Sequence, residues 1–314
     1  MTPEDFRFSH SLRVRWVEVD MQKIVFNGHY LMYFDTAIAD YWRALGLPYE
    51  EAMQQLGGDL YVKKASVEYH GSARFDDRLE VALKCARIGN SSLTFSGAIF
   101  RDGALLVSCE LIYVFADPVA QTSKPVPPAL RKLLDKFEAG DDMIRIETGG
   151  WATLGTDATA IRTAVFVFLG SESKFASVQR TEPSGPAIGW AKLASDPNNP
   201  IALNLMSDAA DAVGLHAVAY NGLEQAVATG RLIRNDNAVS QIGRLAVHRA
   251  LRGAGVGTQV LQALLDAAKQ RGDAEVMLYA QRNAQGFYEG AGFTARGACF
   301  EEAGMPHLEF FKRL

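Results

Sequence analysis

The chain has 314 residues, with 32 Lys and Arg against 36 Asp and Glu and a formal net charge of −4. That length is long for one domain and natural for two, and a mildly acidic balance with no run of Lys or Arg excludes the basic surface that nucleic acid or an anionic membrane requires. No apolar run reaches the roughly 18 residues of a spanning helix, and Met1-Thr-Pro-Glu-Asp-Phe-Arg is too polar for a signal peptide, so a cytoplasmic protein with no membrane partner is expected.

In chain order, residues 8–19 alternate, with Leu12, Val14 and Trp16 on one face and Arg13, Arg15 and Glu18 nearer the other, which predicts a half-buried strand ending at Asp20. Residues 30–46 place Leu31, Phe34, Ile38, Tyr41, Trp42 and Leu45 at helical spacings, and Gly46 and Pro48 stop the helix. Asn27 and Gly28 fall at its start. Four long alternating runs follow, 60–70, 78–88, 91–101 and 104–116, joined by turn signals such as Gly89-Asn90 and Asp102-Gly103. One long helix embedded in an antiparallel meander is the hot-dog arrangement. Cys85, Cys109 and Cys299 lie in apolar, strand-like surroundings without metal spacing and read as reduced core thiols; no metal is expected.

The segments Arg13-Val-Arg-Trp-Val-Glu-Val-Asp20, Val25-Phe-Asn-Gly-His-Tyr-Leu31, Tyr33-Phe34-Asp35 and Val67-Glu-Tyr-His-Gly-Ser-Ala-Arg-Phe-Asp-Asp77 resemble the acyl-CoA thioesterases of the 4-hydroxybenzoyl-CoA thioesterase type, over roughly residues 6–138. A thioester carbonyl must be polarised while a carboxylate attacks it or activates water. The resemblance makes Asp20 that carboxylate, as nucleophile or general base, and maps the oxyanion amide to Asn27, with Gly28 beside it at the helix start, where the dipole reinforces the site. Without the resemblance, Asp20 reads as a loop carboxylate held by backbone N–H groups. His29 and His70 could orient substrate or be ordinary polar residues. Many relatives carry a histidine where this chain has Asn27, which removes an imidazole mechanism there but leaves the backbone role. Ser72 stands where relatives often have proline, a local turn effect. The resemblance also implies a homodimer or homotetramer through this domain, because the hot-dog site forms across a subunit interface.

Asp117 to Pro128 is rich in Pro, Ser, Thr and Ala, and residues 128–137 form a short helix with Leu130, Leu133, Leu134 and Phe137 on one face. Ala139-Gly140-Asp141-Asp142 breaks it, which places the domain boundary near residue 140 and gives domains 1–140 and 141–314. A strand at 143–148 and a helix around 157–167 open the second half. Residues 168–199, rich in Ser, Pro, Gly and Asn, read as an insertion of about 30 residues, either a substrate lid or a surface decoration. Residues 215–220 and 225–233 are strands around the hairpin signal Asn221-Gly222.

Next comes the apolar run from Ile242 to Val247, then Arg252-Gly253-Ala254-Gly255-Val256-Gly257, then a long amphipathic helix. Glycines let the backbone approach a ligand, and fresh helix N–H groups favour a pyrophosphate there; the bland alternative is a Gly-rich turn. The spacing Arg-x-x-Gly-x-Gly resembles the acetyl-CoA loop of the GNAT acetyltransferase superfamily. Strand 275–280, Asn283 and Phe287-Tyr288-Glu289-Gly290-Ala291-Gly292-Phe293 form a second segment that resembles that superfamily, and the tail Phe300-Glu301-Glu302-Ala303-Gly304-Met305-Pro306-His307 resembles its ElaA-type subgroup; the resemblance covers roughly residues 142–167 and 200–314. The resemblance implies that Leu245, Ala246 and Val247 pair with pantetheine, that Arg252, Gly253, Ala254, Gly255, Val256, Gly257 and Thr258 cradle the pyrophosphate, that Asn283 orients CoA, and that Tyr288 protonates the leaving thiolate. For the base that takes the amine proton, His216, His248, Glu301, Glu302 and His307 stay open.

The fold class read from the chain is therefore α+β with two domains, a hot-dog fold followed by a GNAT fold with a mixed central sheet and flanking helices. The function read is a bifunctional enzyme. One domain hydrolyses an acyl-CoA, and the other transfers an acetyl or acyl group to an unidentified amine. CoA and acetyl-CoA enter as substrates, and no covalently bound cofactor is expected. Two alternatives stand beside it: a thioesterase whose GNAT-like half is an acetyl-CoA sensor or oligomerisation module, and a CoA-binding scaffold with neither activity.

Overall fold

The computed structural model describes residues 1–166, 207–235, 238–302 and 305–314. These divide into two units, Met1–Met143 and Ile144–Leu314. The expected insertion at 168–199 lies outside the described residues.

In the first unit, helix α1 (Asn27–Ala44) buries Tyr30, Tyr33, Phe34, Ala37, Ile38, Tyr41 and Trp42. These recur at intervals of three and four, so one stripe faces the sheet. The expected stripe included Leu31, but Leu31 is exposed and Tyr30 and Tyr33 take the inward positions. Gly46 in the left-handed region ends the turn. A second helix, α2 (Tyr49–Leu56), was not expected; Pro48 precedes its first turn and left-handed Gly57 closes it.

The five strands are β1 (Phe8–Arg13), β2 (Asp59–Tyr69), β3 (Arg78–Ile88), β4 (Ser92–Arg101) and β5 (Ala104–Ala116). They form one antiparallel sheet in the order β1-β3-β4-β5-β2. The sheet packs tightly against α1 at Gly97 on β4. A Cβ there would fall 2.6 Å from Cys109 Sγ and 2.7 Å from the Phe34 ring, so only glycine lets the helix lie this near the strand. Phe34, Tyr41, Leu83, Leu93 and Phe95 are fully buried around this crossing, each contributing about 1.5–3 kcal/mol of transfer free energy. Helix α3 (Pro128–Ala139) adds Leu130, Leu133, Leu134 and Phe137, as its spacing predicts. Its Glu138 accepts the Tyr41 hydroxyl at 2.5 Å and the Cys85 N–H at 2.8 Å.

The first strand corrects the expectation. It stops at Arg13, and Trp16–Glu18 form a 3₁₀ turn. The change of path inverts the pattern: Trp16 is 75% exposed and Glu18 only 3%. Asp20 therefore does not end a strand.

The second unit is a seven-stranded sheet in the order β11-β12-β10-β9-β8-β7-β6. The strands are β6 (Ile144–Gly149), β7 (Leu215–Asn221), β8 (Ala226–Arg234), β9 (Val239–Val247), β10 (Glu275–Gln281), β11 (Thr294–Glu302) and β12 (Met305–Arg313). All neighbours are antiparallel except β9 and β10. Helix α4 (Trp151–Phe166) begins six residues before the expected start at 157. It packs Leu154 and Ala158 on Val218 and Tyr220, and Ile161 and Val165 on Ala246. Ala217 and Ala219 instead join the core around α5 (Val256–Gln270), so β7 is covered on both faces and reads as a nearly continuous apolar run. A short helix α6 (Gln285–Gly290) precedes the β11–β12 hairpin, which the sequence reading did not assign.

No helix among the described residues is long and apolar enough to cross a membrane. The three cysteines are unpaired. Cys109 is a core thiol, pushed up to about 12 by burial. Cys299 is exposed on β11 and is not a core residue, contrary to expectation.

Candidate active sites

In the first unit, the residues between Glu18 and α1 close on themselves. Phe26 N–H donates to Glu18 O at 2.9 Å, Val19 bridges Val25, and Asp20 N–H donates to Ile24 O at 2.9 Å. The result is a short hairpin with Lys23 in the left-handed region at its tip. It carries Asp20 on one arm and runs from the other arm directly into Asn27. A second tie fixes it from the side: Val25 N–H donates to Ala73 O at 2.9 Å, and Ala73 N–H donates to the Tyr30 hydroxyl at 2.9 Å.

The half-buried Asp20 carboxylate accepts the Gln22 N–H at 2.8 Å, which leaves acceptor capacity on its second oxygen. Asn27 and Gly28 are the first two exposed residues of α1. Their N–H groups precede any acceptor four residues back within the helix, while His29 N–H donates to Phe26 O at 2.9 Å. Two amides without an intrahelical acceptor, the positive end of the helix dipole and a carboxylate on the adjoining hairpin together suit a carbonyl that becomes an oxyanion. The half-buried His29 ring stands edge-on to Phe26. His70 is engaged elsewhere, with Nε2 2.8 Å from Ser108 Oγ on β5. Ser72 contributes its carbonyl oxygen to Arg101 at 3.3 Å.

The sequence reading missed Glu18. Its carboxylate accepts Arg15 N–H at 2.7 Å, Arg15 Nε–H at 2.8 Å and the Tyr33 hydroxyl at 2.8 Å. Burial alone would raise its carboxyl, but these hydrogen bonds outweigh burial and hold it below the usual range, while burial and Glu18 together push the Tyr33 phenol up. The available signal was a carboxylate two residues before Asp20 with an Arg three residues before it, the spacing of a capping box.

In the second unit, β9 and β10 pair over only three positions, Val239 with Glu275, Ser240 with Val276 and Gln241 with Met277. Both strands continue, β9 to Val247 and β10 to Gln281, without pairing to each other. That leaves backbone groups along 242–247 open on the β10 side. A bulge accompanies the divergence: Thr229 pairs with Ala246 but Arg231 with Gly243, and Arg244 lies at φ 55°. Leu245 and Val247 pack toward the α5 core, and Ala246 packs beneath α4. An open strand edge of this kind can pair with an extended amide-bearing chain.

The strand leads into a 3₁₀ turn, Arg249–Leu251, capped by His248 Nδ1 accepting Ala250 N–H at 3.3 Å. Arg252 Nε–H then donates to Val247 O at 3.3 Å, and Gly253 and Gly255 take φ of 85° and 81°. Gly257 fits for another reason, since a Cβ there would fall 3.1 Å from Val247 Cγ2. Ala254 and Thr258 are exposed beside these glycines, and Val256 is buried as α5 begins. The first N–H groups of α5, at Val256, Gly257 and Thr258, have no acceptor within the helix, and the dipole favours an anion there.

Asn283 is exposed in the 3₁₀ turn Arg282–Ala284, just before α6. Tyr288 is 9% exposed, with its ring against Phe293 and Phe310. Burial raises its phenol to about 12, so it keeps its proton at neutral pH.

Of the five base candidates, His216 is fully buried, with Nε2 3.0 Å from Asp211 O, and burial lowers its imidazole. It belongs to an ion network that the sequence reading missed. Arg162 and Arg231 pair with Asp211, and Arg231 and Arg244 pair with Asp208. His248 serves as a cap, and His307 stacks on Phe300. Glu301 is exposed on β11, and Glu302 ends that strand.

A family model described as the thioesterase superfamily matches residues 22–108. One described as an acetyltransferase (GNAT) domain matches residues 202–314. An Aquifex aeolicus protein named "Putative esterase" is 32% identical over 95 residues, 30% of this chain and 73% of that one. Protein ElaA of Escherichia coli is 35% identical over 88 residues, 27% of this chain and 58% of ElaA, so less than two thirds of ElaA's length is spanned. Acyl-CoA thioester hydrolase YbgC of Escherichia coli is 25% identical over 124 residues, 39% of this chain and 92% of YbgC.

Proposed function

The chain joins a domain of the thioesterase superfamily to a GNAT acetyltransferase domain, and from that premise we propose a bifunctional enzyme of CoA thioesters. Residues 1–140 hydrolyse an acyl-CoA to free acid and CoA. Residues 141–314 transfer an acetyl or acyl group from CoA to an amine.

The observation that carries hydrolysis is the hairpin that delivers Asp20 and the α1 amides as one piece. The thioester oxygen takes the Asn27 and Gly28 N–H groups. Asp20 attacks the carbonyl carbon to form a mixed anhydride that water then hydrolyses to the free acid, or it takes a proton from a water that attacks directly. Charge builds on the oxygen where the amides and the helix dipole oppose it, and the C–S bond then breaks to release the thiolate. His29 lies one residue on and borders the same mouth. The name of YbgC supports an acyl-CoA as substrate.

Transfer is supported by the open edge of β9 and the glycine turn at α5. Pantetheine pairs along Leu245 to Val247, and the pyrophosphate sits on residues 252–258. Asn283 steadies CoA. The amine attacks the acyl carbon and loses its proton through water. Tyr288, still protonated at neutral pH, donates to the thiolate as it leaves.

The first domain also carries the surface for self-association. Strand β2 is a sheet edge, with Tyr61, Val62 and Tyr69 exposed, and Trp16 and Phe75 pack edge-on to each other in the open. An unpaired edge beside exposed aromatics favours a homodimer or homotetramer through this domain. The unpaired cysteines agree with a cytosolic setting.

The test is CoA release from a panel of acyl-CoAs, with and without a panel of amines. Release without amine measures hydrolysis, and acylated amine measures transfer. A chain that binds acyl-CoA and yields neither product overturns the reading.

A further inference from the structure

We propose that Glu18 is the positioning residue of the thioesterase site, holding Asp20 in register with the Asn27 and Gly28 amides without touching substrate. The inference rests on the hydrolase reading above.

Three facts carry it. First, Glu18 is 3% exposed and its carboxylate is engaged on both oxygens. One oxygen accepts the Arg15 N–H and the Tyr33 hydroxyl; the other accepts the Arg15 guanidinium. A carboxylate so engaged and enclosed is poorly placed to attack a carbonyl or take a proton. Second, its own carbonyl oxygen accepts Phe26 N–H at 2.9 Å, which is the closing bond of the hairpin that carries Asp20. Third, Tyr33 belongs to α1, the helix whose first two residues are Asn27 and Gly28.

Glu18 thus grips the helix through its side chain and the base of the hairpin through its backbone. The chain from Asp20 to Asn27 passes through the exposed residues Met21, Gln22 and Lys23, whose side chains add little to hold it. Two ties hold that stretch: the Val25–Ala73 bond at its side and the Glu18 anchor at its base, and Glu18 is the one that joins the Asp20 arm to α1. A reacting group displaced by about 1 Å loses about 100-fold in rate.

The expected result is a split between variants. In Glu18→Ala the side-chain tie to Tyr33 and Arg15 is lost while the backbone bond to Phe26 stays, and kcat for thiol release falls about 100-fold while KM changes little. In Glu18→Gln the amide oxygen still accepts Arg15 N–H and the Tyr33 hydroxyl, and the exposed Arg15 guanidinium turns to solvent. Most of the wild-type kcat should return. Tyr33→Phe removes only the helix contact and should give an intermediate kcat, and it serves as the second variant if Glu18→Ala does not fold.

Each kcat is measured on the full chain, divided by the fraction folded from the far-ultraviolet circular dichroism melt, beside wild type and Asp20→Asn. If wild type releases thiol and Asp20→Asn does not, the hydrolase reading stands. If folded Glu18→Ala or Tyr33→Phe then keeps kcat within twofold of wild type, Glu18 is merely structural and this inference fails. If Glu18→Gln is as dead as Asp20→Asn, Glu18 works as a carboxylate in the reaction and the positioning role also fails. No thiol release from wild type overturns the hydrolase reading itself.

Discussion

The two candidate sites use the same physical resource, the unpaired N–H groups of a helix N-terminus, and present it in different ways. At α1 the chain arrives from a hydrogen-bonded hairpin, without a glycine in the left-handed region between Val25 and Asn27. At α5 it arrives through Gly253 and Gly255, both left-handed. The first arrangement couples the amides to a carboxylate, as a charge that exists only during reaction requires. The second leaves room for a permanent anion to lie against the backbone, with no carboxylate among residues 252–258 to oppose it. A helix terminus alone does not distinguish catalysis from binding; what the approaching segment carries does.

The comparison breaks most severely at Asp20. Asp20→Asn should reduce amine-free thiol release about 1,000-fold, the scale of losing a catalytic acid or base, while acyl transfer to amine is unchanged. Assaying both products from one preparation checks it; loss of both in a folded variant would mean that the sites are not separate. Tyr288→Phe makes the mirror cut. Transfer should fall about 100-fold, with acetyl-CoA affinity retained by calorimetry and hydrolysis intact.

Gly255→Val sharpens the binding half. A β-branched residue at φ 81° is strained by about 1–2 kcal/mol, so acetyl-CoA affinity should weaken about 10-fold with little change in hydrolysis. The smallest expected effect is on acid stability. Hydrogen bonds from Arg231 and Arg244 overcome burial and hold the Asp208 carboxyl well below its usual range, and Asp211 is lowered in the same network. Because these folded values are depressed, the stabilisation is present above the unfolded carboxylate range near pH 4 and is lost as pH falls toward the folded values. Thermal melts between pH 7 and pH 3 should show that loss, and Asp208→Asn should flatten the acid limb.

Much of this was legible in the chain, and the failures have causes. The α1 stripe and the α3 face were readable because each helix buries one side, and the four long strands because turn signals bound each run. The start of α4 was hidden because Trp151-Ala-Thr-Leu-Gly-Thr lacks a strong apolar period and carries a glycine within the helix. The path of 14–20 was misread because the alternation of Leu12, Val14 and Trp16 with Arg13 and Arg15 runs on in the sequence after the backbone has left the sheet at Arg13. That error concealed Glu18. Tertiary hydrogen bonds, not periodicity, place a carboxylate indoors, and Tyr33 lies 15 residues away. The Gly turn and Tyr288 were singled out through the resemblance to the GNAT superfamily, but the divergence of β9 from β10 was not, since strand pairing leaves no mark on one strand's sequence. The Arg162–Asp211–Arg231 network escaped for the same reason: its members come from α4, a 3₁₀ turn and β8.

The most direct test of the central claim is amine-free thiol release from an acyl-CoA panel by the intact chain and by Asp20→Asn. The account predicts release from at least one acyl class that vanishes in the variant while acetyl-CoA still binds. Equal release by both proteins, or none from any acyl-CoA by the intact chain, would contradict it.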